Sequence, residues 1–260
     1  MISLIYPLII GYCLDVVGFC VIFYLEQRGF IVEIKFTGAG KIQTITIPDD
    51  MVFRGSLDLS NMGLTELPDL SAVTVTGDFE CSNNKLTSLK GAPKSVGGNF
   101  DCSWNPLTTL AGGPQTVEGD FDCSWNNLTT LAEGPQTVGG DFDCSWNKLT
   151  TLAGAPKNIG KHFICYSNKL TSLVGCLQKI NGDFDCHWND LTTLYGAPQT
   201  VGGNFDCRFN PLASLVGLPN EICGDFICGN PRLIQEYEKI KQKQKEFLIR
   251  LFGRLKQNMK

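Results

Sequence analysis

Between Gly98 and Gly160 the chain repeats itself three times with a period of 21 residues: GNFDCSWNPLTTLAGGPQTVE, GDFDCSWNNLTTLAEGPQTVG and GDFDCSWNKLTTLAGAPKNIG. A unit this short cannot bury an apolar face alone, but stacked on copies of itself it builds a continuous core. Further units begin at Gly77, Lys161, Gly182 and Gly203, with a truncated one at Gly224 and a diverged one at Gly55. The expected fold is a repeat solenoid of about nine coils around a parallel sheet.

Counting a unit's first residue as zero, the phenylalanine at +2 and the cysteine at +4 fall on one face of a short strand. They point inward with the asparagine at +7 and the leucines at +9 and +12, as in Phe100, Cys102, Asn105, Leu107 and Leu110. A buried asparagine has to be hydrogen-bonded. Asn84, Asn105, Asn126, Asn147, Asn168, Asn189 and Asn210 are therefore expected to bond backbone groups of their own turn and of the adjacent coil. The Gly-x-Pro segment then turns the chain back. Of the twelve cysteines, eight share the +4 position and none forms a CxxC pair. They are expected to be buried, unbridged thiols, which suits a reducing compartment.

The first unit, GSLDLSNMGLTELPDL, resembles the leucine-rich repeat at Leu57, Leu59, Asn61, Leu64 and Leu67. Later units follow Phe-x-Cys-x-x-Asn-x-Leu-x-x-Leu and close on Gly-x-Pro-x-x-Val. In this they are similar to the bacterial effector class typified by YopM and the IpaH proteins. That resemblance covers residues 55–230 and implies a leucine-rich-repeat-like stack used for binding. Phenylalanine and cysteine replace strand leucines, and the return segment is one residue longer. The IpaH-type ligase activity is not expected, because residues 231–260 contain no cysteine.

Outward-facing positions bear on function. Residues 77–229 hold 15 acids and 9 bases, and eleven of those acids lie at +1 and +3. They include Asp120, Asp141 and Asp183 at +1 and Asp101, Asp122, Asp143 and Asp185 at +3. Strands lie about 4.8 Å apart, so like charges oppose one another, an arrangement that stability alone would not choose. Beside them at +6 runs an aromatic row, Trp104, Trp125, Trp146, Trp188 and Phe209, with Tyr166 and His187 one position earlier. Carboxylates beside aromatics suit a protein partner offering arginine or lysine, through ion pairs and cation–π contacts. Tryptophan packing over the strand end, with acids that merely keep the sheet soluble, is the plainer alternative. A Thr-Thr or Thr-Ser pair at +10 and +11 adds a hydroxyl row.

Four segments are expected: residues 1–24, 25–54, 55–230 and 231–260. The first is almost wholly apolar, long enough for a membrane-spanning helix and equally suited to capping the solenoid. Asp15 and Pro7 speak against a span, and a start of synthesis at Met51 stays open. In the second, two alternating runs flank Thr-Gly-Ala-Gly and read as a β-hairpin cap. The last segment, with 3 acids and 9 bases, reads as a helix. Leu233, Ile234, Tyr237 and Ile240 are placed to cap the last coil. Phe247, Leu248, Leu251, Phe252 and Leu255 lie beyond a basic run, either as a longer cap, as a membrane or groove-docking face, or lying against the acidic sheet.

No Ser-His-Asp, HExxH or P-loop pattern is present, and His162 and His187 stand alone. Neither enzyme activity nor a metal or cofactor is expected. The sequence points to a non-enzymatic protein-interaction scaffold with a basic partner, in the cytoplasm or at a membrane. Two alternatives follow: an inhibitor whose carboxylate row mimics nucleic acid, and a membrane-tethered repeat protein. DNA's one charge per roughly 1.7 Å is far denser than this row.

Overall fold

A computed structural model describes residues 52–258 and, before them, the strands Ile9–Asp15, Gly18–Gln27, Phe30–Glu33, Lys35–Phe36 and Ile42–Gln43. From Val52 to Ile227 the chain is a parallel β-solenoid, closed by a single helix, Pro231–Asn258. One sheet holds nine two-residue strands, from Leu57–Asp58 through Phe100–Asp101 to Phe226–Ile227. Pairing is strictly in register: Phe100 lies opposite Phe121 and Asp101 opposite Asp122. The inward phenylalanines form a continuous row with ring centroids 5.1–5.9 Å apart, stacked from Phe79 to Phe142 and edge-on or tilted from Phe142 to Phe226. Burial of each such side chain contributes roughly 2–3 kcal/mol.

Each coil has a second strand that the periodicity does not reveal. The return segment, expected as a turn, forms Ser95–Val96, Thr116–Val117, Thr137–Val138 and their equivalents, with valine or isoleucine buried. These strands make a six-stranded sheet, Val52–Phe53 to Asn158–Ile159, and a three-stranded one from Lys179–Ile180 to Glu221–Ile222. The two sheets are interrupted where Leu177 replaces the proline found at 114, 135, 156 and 198. There the side chain of Asn181 reaches Ile159 O and Gly160 O at 3.4 Å. An open recess of about 780 Å³ results, walled by Val138, Ile159, Cys176 and Leu177.

Three boundary expectations change. Val52–Phe53 pairs with Thr74–Val75, so the solenoid begins before residue 55. Where residues 1–24 are described they are strand: Ile9–Asp15 pairs antiparallel with Gly18–Gln27, which also pairs with Phe30–Glu33. No helix among the described residues is long and apolar enough to cross a membrane. Lys35–Phe36 pairs antiparallel with Ile42–Gln43, the two arms of the expected hairpin; the Thr-Gly-Ala-Gly turn and the capping expected of residues 25–54 lie outside the described residues. At the other end Leu233 and Tyr237 are buried and Tyr237 packs on Phe226 at 4.6 Å. Only this first part of the helix caps. Ile234, expected to join it, is exposed, and so is Phe247; the side chains at 248, 251, 252 and 255 lie outside the described residues.

Candidate functional site

Strands of the nine-stranded sheet end in a recurring turn, and where the +3 residue is an aspartate its carboxylate caps that turn. Asp101, Asp122 and Asp143 each accept a hydrogen bond from the N–H two residues on, at 2.8 Å. Asp185 and Asp206 do likewise toward His187 and Arg208. The +6 residue then enters the left-handed region, with φ of 51–60° in the eight coils from Gly55 to Gly203. This swings the +7 asparagine inward. Asn126 Nδ2 donates to Cys102 O, Cys123 O and Ser124 O, and its Oδ1 accepts from Leu107 N at 3.0 Å. The ladder expected of Asn84, Asn105, Asn126, Asn147, Asn168, Asn189 and Asn210 therefore forms throughout. The eight +4 cysteines are buried and unbridged.

Left-handed backbone costs an L-residue roughly 1–2 kcal/mol, and asparagine tolerates it best among those with a side chain. The first coils obey this rule with Asn61 and Asn83. The later ones place Trp104, Trp125, Trp146, Trp188 and Phe209 there, with Ser167 in the coil that begins at Lys161. Trp104, Trp125 and Trp146 form one stack, with ring centroids 4.3 and 4.1 Å apart and planes within about 11°. Tyr166 meets Trp146 edge-on and stacks on His187 at 4.5 Å, and Trp188 leans on Phe209. The four tryptophans remain 38–57 % exposed.

The stack corrects one expectation. Both faces of Trp125 are covered by its neighbours, so the middle of the row offers ring edges and indole N–H donors rather than faces. Cation–π contact is open only at interruptions and ends, as where Arg208 lies 6.0 Å over Phe209.

A second correction concerns the acids. They share one face, as expected, yet most have a structural task besides their charge. The +1 side chain accepts a hydrogen bond from the next coil's +1 N–H: Asp120 Oδ1 from Asp141 N, Asp141 Oδ1 from His162 N, and Asp183 Oδ1 from Asn204 N. Asn99 and Asn204 do the same without charge, at 2.8 Å. A good acceptor is what the ladder requires; a carboxylate is not. The sequence carried this signal, since the +1 column mixes Asp, Asn and His, all acceptors.

At +3 the aspartates are partly buried, and Asp206 almost fully. Burial, with Asp101 adjacent, raises the Asp122 carboxyl above its usual range. Asp143 is pushed up to about 6, first by burial and then by the charges of Asp122 and Asp185, against hydrogen bonding from Ser145. Glu80 is raised by burial and by Asp58, Asp101 and Asp78.

Two further features have local explanations. Donor atoms of Asp185, His187 and Asp206 lie within 4.8 Å of one another. Arg208 grips both oxygens of Asp206, and His187 hydrogen-bonds Asp185, so each carboxylate of the trio already has a partner. In the hydroxyl row, Thr109, Thr130 and Thr151 accept from the N–H two residues on, as turn formers. No protein-family model, curated protein or solved structure matches the chain.

Proposed function

We propose that the chain is a non-enzymatic binding scaffold whose working surface is the tryptophan stack and the carboxylate columns beside it, and that it takes a basic, extended protein segment. One observation carries this reading: bulky aromatics occupy a left-handed position that Asn61 and Asn83 fill at lower cost. Backbone strain retained where a cheaper residue would serve is a mark of function. The carboxylates support it. Asp101, Asp122 and Asp143 each use Oδ1 for the turn, and no partner is seen at their second oxygens among the described residues. Among the described residues Asp101, Asp122 and Asp143 have no basic side chain paired with them. A lysine or arginine chain laid along the columns can meet these oxygens while its stem covers the indole edges. Mimicry of nucleic acid is less well supported, because a carboxyl near 6 is a poor copy of a phosphate that stays charged.

All four tryptophans of the chain lie in this row, so intrinsic fluorescence reports on the proposed surface alone. Titration with a basic polypeptide such as polyarginine is expected to change that fluorescence saturably. Trp104→Asn, Trp125→Asn and Trp146→Asn together suit the backbone and should leave the fold intact while removing the partners captured from a lysate. Asp101→Asn, Asp122→Asn and Asp143→Asn keep the turn acceptors and should weaken the same partners. Capture of an unchanged partner set by both triple variants would refute the reading.

A further inference from the structure

The helix Pro231–Asn258 outruns the surface it caps. Leu233, Tyr237 and Ile240 pack on the last coil, and they recur at the three- and four-residue spacing of a single helical face. From Lys241 onward every described side chain as far as Arg250 is exposed, including Phe247 at 65 % and Ile249 at 63 %. The helix nevertheless continues for eighteen residues after Ile240, about 27 Å at 1.5 Å per residue. In helical register, positions 247, 248, 251, 252 and 255 fall on the continuation of the capping face, and the sequence places Phe, Leu, Leu, Phe and Leu there. Ile249 falls outside this stripe.

The charges are arranged about the stripe. Register places Lys243, Arg250 and Arg254 along one border and Lys241, Lys245 and Lys256 along the other, with Gln242, Glu246 and Gly253 on the back. From Lys241 to Asn258 there are thus six bases and one acid, Glu246. Glu246 pairs only with Arg250, at 4.0 Å, and among the described residues no ion pair joins the helix to the acidic sheet. As far as Arg250, no described basic side chain of the tail meets the sheet's carboxylates.

We propose that this overhang docks, in plane, on an anionic lipid surface. An apolar stripe bordered on both sides by long basic side chains matches a bilayer interface, where the stripe enters the acyl boundary and the ammonium and guanidinium groups reach lipid phosphates and carboxylates. A second copy of the helix would instead set six positive charges against six. The proposal does not rest on the binding role of the tryptophan face, which lies on a different surface.

Sedimentation of the full chain with vesicles tests it. Vesicles of phosphatidylcholine alone are compared with vesicles carrying roughly one phosphatidylserine in three lipids, at low and high ionic strength. Binding is expected to the anionic vesicles only, falling as salt screens the charges. Lys245→Glu with Arg250→Glu should lower the partition on the order of a hundredfold. Phe247→Ser with Leu251→Ser should abolish it at any salt, whereas Glu246→Gln on the back should leave it unchanged or slightly stronger. None of these changes touches the solenoid, so the tryptophan emission spectrum should stay the same and report folding independently. Equal binding to neutral and anionic vesicles, or variants that bind like the parent chain, would overturn the proposal. Loss of self-association in the apolar variant without any vesicle binding would also overturn it and assign the stripe to a second copy.

Discussion

Asp143→Asn separates the two tasks of a +3 aspartate, turn acceptor and charge. The substituted amide retains an oxygen for the Ser145 N–H, which lies 2.8 Å from Asp143 Oδ1, and the change removes a partly buried carboxylate paired in register with Asp122. The folded-state carboxyl lies at about 6 against an ordinary 3.8. A raised carboxyl pKa means the folded state holds its proton more tightly. Its contribution to stability is therefore present below the ordinary value, declines as pH rises, and is gone above about 6. That difference corresponds to roughly 3 kcal/mol at about 1.4 kcal/mol per pH unit. Since the residue is partly open to water, screening should leave about 1–2 kcal/mol.

The expected result is a variant more stable than the parent by about 1–2 kcal/mol near pH 8, with the gap closing toward about pH 4. Urea unfolding followed by circular dichroism at both pH values measures this, provided the slopes stay equal so that midpoints can be compared. A variant less stable at both pH values, by the same amount, would refute the reasoning. It would mean that the Ser145 turn depends on a charged acceptor and that self-repulsion along the column is negligible.

Other changes probe the ladder and the strained backbone. Asn126→Ala removes four hydrogen bonds at once and leaves buried carbonyls and the Leu107 N–H unsatisfied, so a loss of about 3 kcal/mol or more is expected in the same urea assay. Glu133 stands at φ 64° in a column where Gly91, Gly112, Gly154, Gly175, Gly196 and Gly217 adopt 86–97°. Glu133→Gly should therefore stabilise the chain by about 1 kcal/mol, measured as a higher urea midpoint.

The repeat made the stack, the inward phenylalanines and the asparagine ladder legible, because each occupies a column whose chemistry allows one orientation. The second strand was not legible. Two residues such as Thr116–Val117 are too short to show a period, and the Gly-x-Pro before them reads as a turn. The left-handed +6 position had a visible signal in Asn61 and Asn83, whose residue type favours that backbone, but the tryptophans below them in the column masked it. Aspartates read as surplus charge because a hydrogen bond from Asp141 N to Asp120 Oδ1 spans 21 residues and leaves no local mark. The helix overhang was half visible: the Lys-Gln-Lys-Gln-Lys run begins where the chain leaves the last coil.

In-register stacking turns each outward position into a column, and columns differ in whether like beside like is favourable. Phenylalanine rings and asparagine amides gain from their own copies, whereas neighbouring carboxylates lose a few tenths to about 1 kcal/mol per pair. The acid columns are broken up accordingly. At +1, Asn99, His162 and Asn204 interrupt the aspartates so that no three acids adjoin. At +3 the run ends at Ile164, and where it resumes, Asp185 and Asp206 are paired with His187 and Arg208. The stretch left without such relief runs from Asp58 through Glu80 and Asp101 to Asp122 and Asp143. Its last three coils carry the full stack of Trp104, Trp125 and Trp146, themselves on strained backbone. Two independent costs, one electrostatic and one conformational, thus fall on coils 98–160 and nowhere else together among the described residues, which is why the partner surface is proposed there.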